Sequence, residues 1–292
     1  MTTMRQRFYE LAREALDENE RVAVVTAQIG TDAIGEHPRH FDVGIREQLM
    51  IGVAAGLALE GYRPVAHSYT PFLVERPYEM LKLDLGHNDL GAVLVSIAGS
   101  YDAAHEGRTH QAPEDVALVA ALPGWTIHVP GHVDEADRLF RQALGGDGRT
   151  YMRLSEETNH ARVDPGWLTV LRHGSPGRPL VVAVGPTLTP GLEATADRDV
   201  TVAYIATVRP FPRDDLREAL ADGADVVLVE AYQAGTSAAE IAVALRDRPH
   251  RLLALGVPNA EFRHYGTGPE HRAAHGLDAA GITRSLADFL GG

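Results

Sequence analysis

The stretch FDVGIREQLMIGVAAGLALEGYRPV, residues 41–65, decides how this chain is read. An extended approach, Phe41 to Val43, stops at Gly44, and Glu47 opens a run of small apolar residues. That run predicts a helix over Glu47 to Glu60, ended by Gly61, and then a strand over Arg63 to Ser68. A carboxylate in the first turn is favoured by the helix dipole, so Glu47 taken alone is a helix-start acid. The small residues permit close packing and by themselves need no further role.

Working outward, helical periodicity and short apolar runs alternate along the chain. A helix is predicted over Met4 to Asn19 and a buried strand over Arg21 to Ala27. Helix Tyr78 to Leu85 follows, then strand Ala92 to Ala98, which opens into a polar loop from Gly99 to Pro113. Helix Pro113 to Leu122, strand Trp125 to Val129, helix Asp134 to Leu144 and strand Tyr151 to Leu154 close the series. Residues Glu156 to Pro179, rich in Pro, Gly, His and Arg, read as a linker containing an edge hairpin. A second series then runs from strand Leu180 to Val184 through strands Val200 to Ile205, Val226 to Val229 and Arg251 to Leu255. Its helices lie around Leu192, over Arg213 to Ala221, over Ser237 to Arg246 and over Thr283 to Phe289. Such alternation implies an α/β fold of two parallel-sheet sandwich domains, 1–165 and a smaller 176–292.

Composition narrows the function. A net charge of -13 disfavours non-specific nucleic-acid binding and attraction to anionic membranes. The absence of cysteine excludes disulfides, thiolate metal sites and a cysteine nucleophile. No run of eighteen apolar residues predicts a membrane span, and Met1 to Glu20 lacks the apolar core of a signal peptide, so the expected location is cytoplasmic.

The 41–65 segment resembles the pyrimidine-binding domain shared by transketolases, deoxyxylulose-phosphate synthases and the beta subunits of 2-oxoacid dehydrogenases. LVVAVGPT, VRPFP, VVLVEAYQAGTSAAE and HYGTGPEHRAAHGLDAAGI follow in the order of that superfamily's C-terminal domain. The resemblance implies thiamine diphosphate as cofactor. It makes Glu47 the carboxyl that hydrogen-bonds the aminopyrimidine and sets up removal of the thiazolium C2 proton. Tyr69 and Phe72 then line the pyrimidine, with Phe72 stacked on it; the alternative is a pair of core aromatics. Where the family has an Arg or aromatic three residues beyond, this chain has Glu75 and then Arg76, so a one-residue insertion would bring Arg76 to that place. The segment Glu106-Gly-Arg-Thr-His110-Gln111 resembles the family's D-G-x-T-H-Q loop. His110 inherits the proton-moving, substrate-facing role. Glu106 replaces an Asp that contacts a donor-sugar hydroxyl, which leaves sugar specificity open. Arg153 matches a phosphate-gripping Arg, with a salt-bridging edge residue as the equal alternative.

Gly146-Asp147-Gly148 imitates the start of the diphosphate and Mg²⁺ motif but lacks its downstream Asn, Asn159 being too close, and reads as a turn. The cofactor's diphosphate and its Mg²⁺ are therefore assigned to a separate N-terminal half, in an α2β2 heterotetramer. The reaction implied is transfer of a two-carbon ketol unit from a ketose or ketose phosphate. The alternatives are a 2-oxoacid dehydrogenase-like subunit passing an acyl unit to a lipoyl group or carrier protein, and a non-catalytic binding or regulatory subunit.

Overall fold

The computed structural model describes residues 2–164, 166–263 and 265–291. Twelve strands are present among them: β1 (Val22–Thr26), β2 (His40–Asp42), β3 (Arg63–Tyr69), β4 (Val93–Ile97), β5 (Trp125–His128), β6 (Arg149–Arg153), β7 (Thr169–Arg172), β8 (Leu180–Val184), β9 (Thr201–Ile205), β10 (Thr207–Arg209), β11 (Asp225–Gln233) and β12 (Arg251–Val257). They form a seven-stranded sheet in the order β10-β5-β6-β4-β3-β1-β2 and a five-stranded sheet in the order β12-β11-β8-β9-β7. Pairing is parallel except for β10 on β5 and β7 on β9.

The parallel sheets follow from composition. The strands VAVVT, VLVSI and LVVAV are buried at every position, which only a sheet covered on both faces allows. In the larger sheet, the helix Met4–Glu18 covers one face. It sets Phe8, Leu11 and Leu16 in the same core as Val22, Val24, Val65, Val93 and Val95. The helix Glu47–Leu59 covers the other, with Met50, Ile51, Ala54 and Ala55 beside Val25, Ala66 and Leu94. No helix among the described residues is long and apolar enough to cross a membrane.

Two strands differ from the sequence reading. The expected hairpin in the linker is a single strand, β7, paired with β9. The extended approach read before Gly44 is short β2, which extends the first sheet beyond β1 and holds Val24 to Thr26 opposite His40 to Asp42. The VRPFP segment supplies β10, which leaves the second series to pair with β5 of the first sheet. With three residues, β10 carries too little periodicity to be seen in sequence.

Buried polar groups fasten the two sheets together. Glu135, 2% exposed, accepts hydrogen bonds from Gly131 N (2.9 Å), Val163 N (2.9 Å) and the Tyr204 hydroxyl of β9. Asn159 receives Thr189 N at 3.1 Å, and its amide donates to Gly185 O at 3.0 Å. A Cβ at Gly131 would stand 2.1 Å from the Asn159 amide nitrogen, so only glycine fits there. Truncating Glu135 to Ala strands the Val163 amide and the Tyr204 phenol in a dry joint. The expected loss is at least about 3 kcal/mol, read from the urea midpoint of the full chain; a wild-type midpoint for Glu135→Ala contradicts this account of the joint.

Candidate active site

The first sheet's parallel strands all end on one edge, where open α/β sheets place their ligands. Glu47 is set there by a short relay. Asp42, at the end of β2, accepts Gln28 N (2.8 Å) and Gly44 N (3.0 Å) through one carboxylate oxygen. Gly44 takes a positive φ of 67°, which a side chain would resist, and the chain then turns into the helix that Glu47 opens. The Glu47 side chain is only 2% exposed, and its Oε2 accepts Arg76 Nη1 at 2.7 Å.

Arg76 reaches this carboxylate because of the backbone between it and Phe72. After β3 the chain makes a wide turn over Pro71–Glu75, closed by Arg76 N donating to Pro71 O at 3.0 Å, an i→i+5 bond. A π-turn absorbs one extra residue in a helix. It brings Arg76, rather than Glu75, back over Phe72, and the guanidinium carbon lies 4.1 Å from the ring centroid. Glu75 instead faces the loop that carries His110. Burial, together with the charge of Glu114, pushes its carboxyl up to about 7.

His110 joins the same cluster. Its ring lies 4.9 Å from Phe72 and 5.4 Å from Tyr69, edge-on to both, while Tyr69 and Phe72 are 6.1 Å apart. The Thr109 hydroxyl bonds His110 Nδ1 at 2.9 Å and so orients the imidazole. Thr70 ties the end of β3 to Ile97 O at 2.8 Å, which fixes this wall against β4. Glu47, Arg76, Phe72, His110 and Tyr69 therefore form one continuous row.

The row extends to residues that no sequence pattern marks. The Arg5 guanidinium lies 5.7 Å from the Tyr69 ring, and its Nε donates to the Tyr9 hydroxyl at 2.8 Å. The Tyr9 hydroxyl stands 3.4 Å from Nε2 of His67, a wholly buried ring whose pKa burial lowers to about 3. Arg5, Tyr9, Ile97, Ser155 and Glu156 line a cavity of about 740 Å³ beside this end of the row.

Two residues expected at the site stand elsewhere. Glu106 is about half exposed and pairs with His105 at 3.4 Å, outside the aromatic cluster. Arg153 is wholly buried and presents no donor to solvent, so the phosphate-gripping expectation gives way to the ion-pair alternative. Its Nε bonds Asp115 Oδ2 at 2.9 Å, and its other nitrogens reach the hydroxyls of Ser100 and Ser155. The Gly146 to Gly148 turn bonds only structurally, Asp147 meeting Arg21 at 2.9 Å and Gly148 O accepting from Arg63.

The family described as "Transketolase, pyrimidine binding domain" matches residues 1–160. The chain belongs to that family. It is 47% identical over 288 residues to a protein of Rhodococcoides fascians described as an uncharacterized 33.6 kDa protein in the fasciation locus, covering 95% of this chain and 91% of that one. It is 28% identical to an apulose-4-phosphate transketolase subunit of Actinobacillus succinogenes, covering 96% and 94%. Against 1-deoxy-D-xylulose-5-phosphate synthase 1 of Geobacter sulfurreducens it is 32% identical over 96% of this chain, yet spans only 46% of that enzyme. In fold it is similar to a structure described as "Split gene transketolase, inactive beta4 tetramer", with a TM-score of 0.81 at 24% identity, covering 98% and 97%.

Within this transketolase-family chain the Arg153–Asp115 pair is a test of the loop's anchorage. Arg153→Met leaves a buried carboxylate without its cation and is expected to cost about 3–5 kcal/mol. The double change Arg153→Met, Asp115→Leu removes both charges and should recover most of that loss. Denaturant unfolding of the three proteins decides it, and losses that simply add contradict the pairing.

Proposed function

We propose that this chain is the pyrimidine-binding, C-terminal subunit of a thiamine diphosphate-dependent transketolase. The proposed reaction moves a two-carbon ketol unit from a ketose or ketose phosphate to an acceptor. We place the pyrimidine-binding domain at 1–165 and the C-terminal domain at 176–292. A separate subunit would hold the diphosphate and Mg²⁺.

One observation carries the reading. Arg76 is a flat, π-stacking hydrogen-bond donor, laid 4.1 Å from the Phe72 ring and 2.7 Å from the buried Glu47 carboxylate. An aminopyrimidine offers the same features, a planar ring for the aromatic and a protonatable nitrogen for the acid. The residues present therefore fit the cofactor's pyrimidine, and Arg76 swings aside or stays at its edge when it binds. Bound here, thiamine diphosphate supplies the electron sink for carbon–carbon cleavage.

The chain's own side chains then divide the remaining work. Glu47, held out of water, shares a proton with the ring nitrogen through a short charge-assisted hydrogen bond. Phe72 supports the ring and Tyr69 sets its lateral position. His110, oriented by Thr109, gives or takes a proton at a substrate oxygen. Arg5 and Glu156 face the adjoining cavity, where the sugar is proposed to lie.

The partner reading rests on the same helix. After Glu47 and Gln48 the helix to Leu59 is apolar on every side, yet Leu49 and Leu59 are 49% and 70% exposed, and Ile45 just before it is 67% exposed. A helix apolar all round is ordinarily a covered one. We propose that partner subunits cover this face in an α2β2 assembly and thereby close the site around Glu47.

Glu47→Gln keeps the shape of the side chain but cannot share a proton in the same way. The assembled enzyme should fold and lose turnover on the order of a hundredfold or more. Near-wild-type turnover of Glu47→Gln at saturating cofactor removes Glu47 from the chemistry, and with it the transketolase reading.

A further inference from the structure

At the Tyr69 end of the row, the helix Met4–Glu18 brings Arg5 and Tyr9 to the cavity of about 740 Å³. Two further side chains hold the Arg5 guanidinium there. Its Nε donates to the Tyr9 hydroxyl at 2.8 Å, and that hydroxyl lies 3.4 Å from Nε2 of His67 in β3. Nδ1 of the same ring stands 2.8 Å from Val95 O in β4. Gly30 makes room for the pair, since a Cβ there would stand 2.8 Å from the Tyr9 ring and 2.9 Å from the His67 ring.

The hydrogens in this chain of contacts run one way. A carbonyl oxygen only accepts, so His67 Nδ1 carries the proton it shares with Val95 O. The ring is wholly buried, and desolvation lowers its pKa to about 3, so at neutral pH Nε2 is a bare lone pair. Nε2 then accepts, and the Tyr9 hydroxyl donates to it. That turns the hydroxyl's own lone pairs to Arg5, a side chain that only donates. Burial also raises the Tyr9 pKa, which keeps the phenol protonated and the direction unchanged. A core histidine with no outward task needs only Val95 O. This one spends its second nitrogen on a hydroxyl at the edge of a cavity.

An arginine in the first turn of a helix has many rotamers, and freezing them on each binding event weakens binding. Here the freezing is already done. The guanidinium carbon lies 5.6 Å from the Tyr9 ring centroid and 5.7 Å from that of Tyr69, and the Tyr69 hydroxyl attracts the charge as well. Glu156, the other charged residue of the lining, forms no ion pair with Arg5 among the described residues. With Nε engaged, the Nη groups are what the guanidinium offers the cavity. Resting on the transketolase reading, we infer that Tyr9 is a positioning residue for the donor sugar: aligned by His67, it holds Arg5 in place to receive oxygen atoms of the donor beyond the one that His110 serves.

Two measurements test this. Imidazole nitrogen shifts of the full chain, read by NMR, should show His67 as the Nδ1–H tautomer, neutral from about pH 5 to pH 8. A proton on Nε2, or a charged ring in that range, overturns the relay whatever reaction the chain serves. The second measurement is steady-state kinetics of the assembled enzyme, with D-xylulose, D-fructose and their phosphates as donors and glycolaldehyde as acceptor. Tyr9→Phe keeps the ring and should raise the KM of the best donor about tenfold, the worth of one hydrogen bond to a charged group, with kcat within about twofold. In an Arg5→Ala background the same change should add nothing. A KM effect confined to the phosphates makes the oxygens that Arg5 receives those of a phosphate, and an equal effect on both kinds of donor makes them hydroxyls; either supports the inference. An unchanged KM in Tyr9→Phe, or a loss that adds to that of Arg5→Ala, overturns it while the transketolase reading stands. No turnover of any of these donors by the unaltered enzyme overturns that reading, and this role with it.

Discussion

The site depends on one buried ion pair. Arg153, at the end of β6, and Asp115, in the first turn of the helix Asp115–Ala120, meet with no access to water. Between them they hold both ends of the loop that carries His110. Asp115 stands just after the loop, and Ser100, which bonds the same guanidinium, stands at its start. The Ser100 hydroxyl in turn donates to Ala231 O in β11, which ties the loop to the second sheet. A Cβ at Gly99 would lie 2.5 Å from the guanidinium carbon, so that glycine lets the strand end pass close to it. Desolvation raises the Asp115 pKa, and the Arg153 charge beside it opposes the rise. A buried charge is costly when unpaired, so this pairing fixes the loop in one arrangement.

The second constraint is the extra residue between Phe72 and Pro77. A regular helical turn would have carried Glu75 toward Glu47 and set two carboxylates against each other. The π-turn sends Glu75 toward Glu114 and Arg108 and delivers Arg76 to Glu47. Local backbone irregularity thus decides the sign of the charge that faces the acid. The wall of the proposed pyrimidine pocket is built from that choice, from the stacking of Arg76 on Phe72 and from the edge contacts of His110.

Much of this was legible in the sequence, because alternating apolar runs dictate a doubly covered parallel sheet and the 41–65 segment marks one of its ends. The strands with five β-branched or aliphatic positions were the clear ones. Short β10 was not, since pairing over a long sequence distance rather than local pattern creates it. Glu47, Phe72, Tyr69 and His110 could be chosen through the family resemblance, and the structure brings them into one row with Arg76. Arg153 shows where such transfer fails. Residue type and strand position agreed with a substrate role, but only the packing shows that its donors are already engaged. Arg5 and Tyr9 lacked any motif, and their place beside Tyr69 comes from the way the first helix crosses the sheet.

Central to the proposed function is that this chain holds one end of a cofactor whose other end needs a partner. The apolar helix that begins at Glu47 and the family match both support that account. The direct measurement is titration calorimetry of thiamine diphosphate with Mg²⁺ into this chain alone, then into this chain with the proposed diphosphate-binding subunit. Most of the cofactor's charge lies in its diphosphate, and Mg²⁺ demands an ordered set of oxygen ligands. The account predicts weak binding to the chain alone and tight binding to the complex, with partner and cofactor each strengthening the other. Tight cofactor binding by the isolated chain, unchanged by the partner, would contradict it.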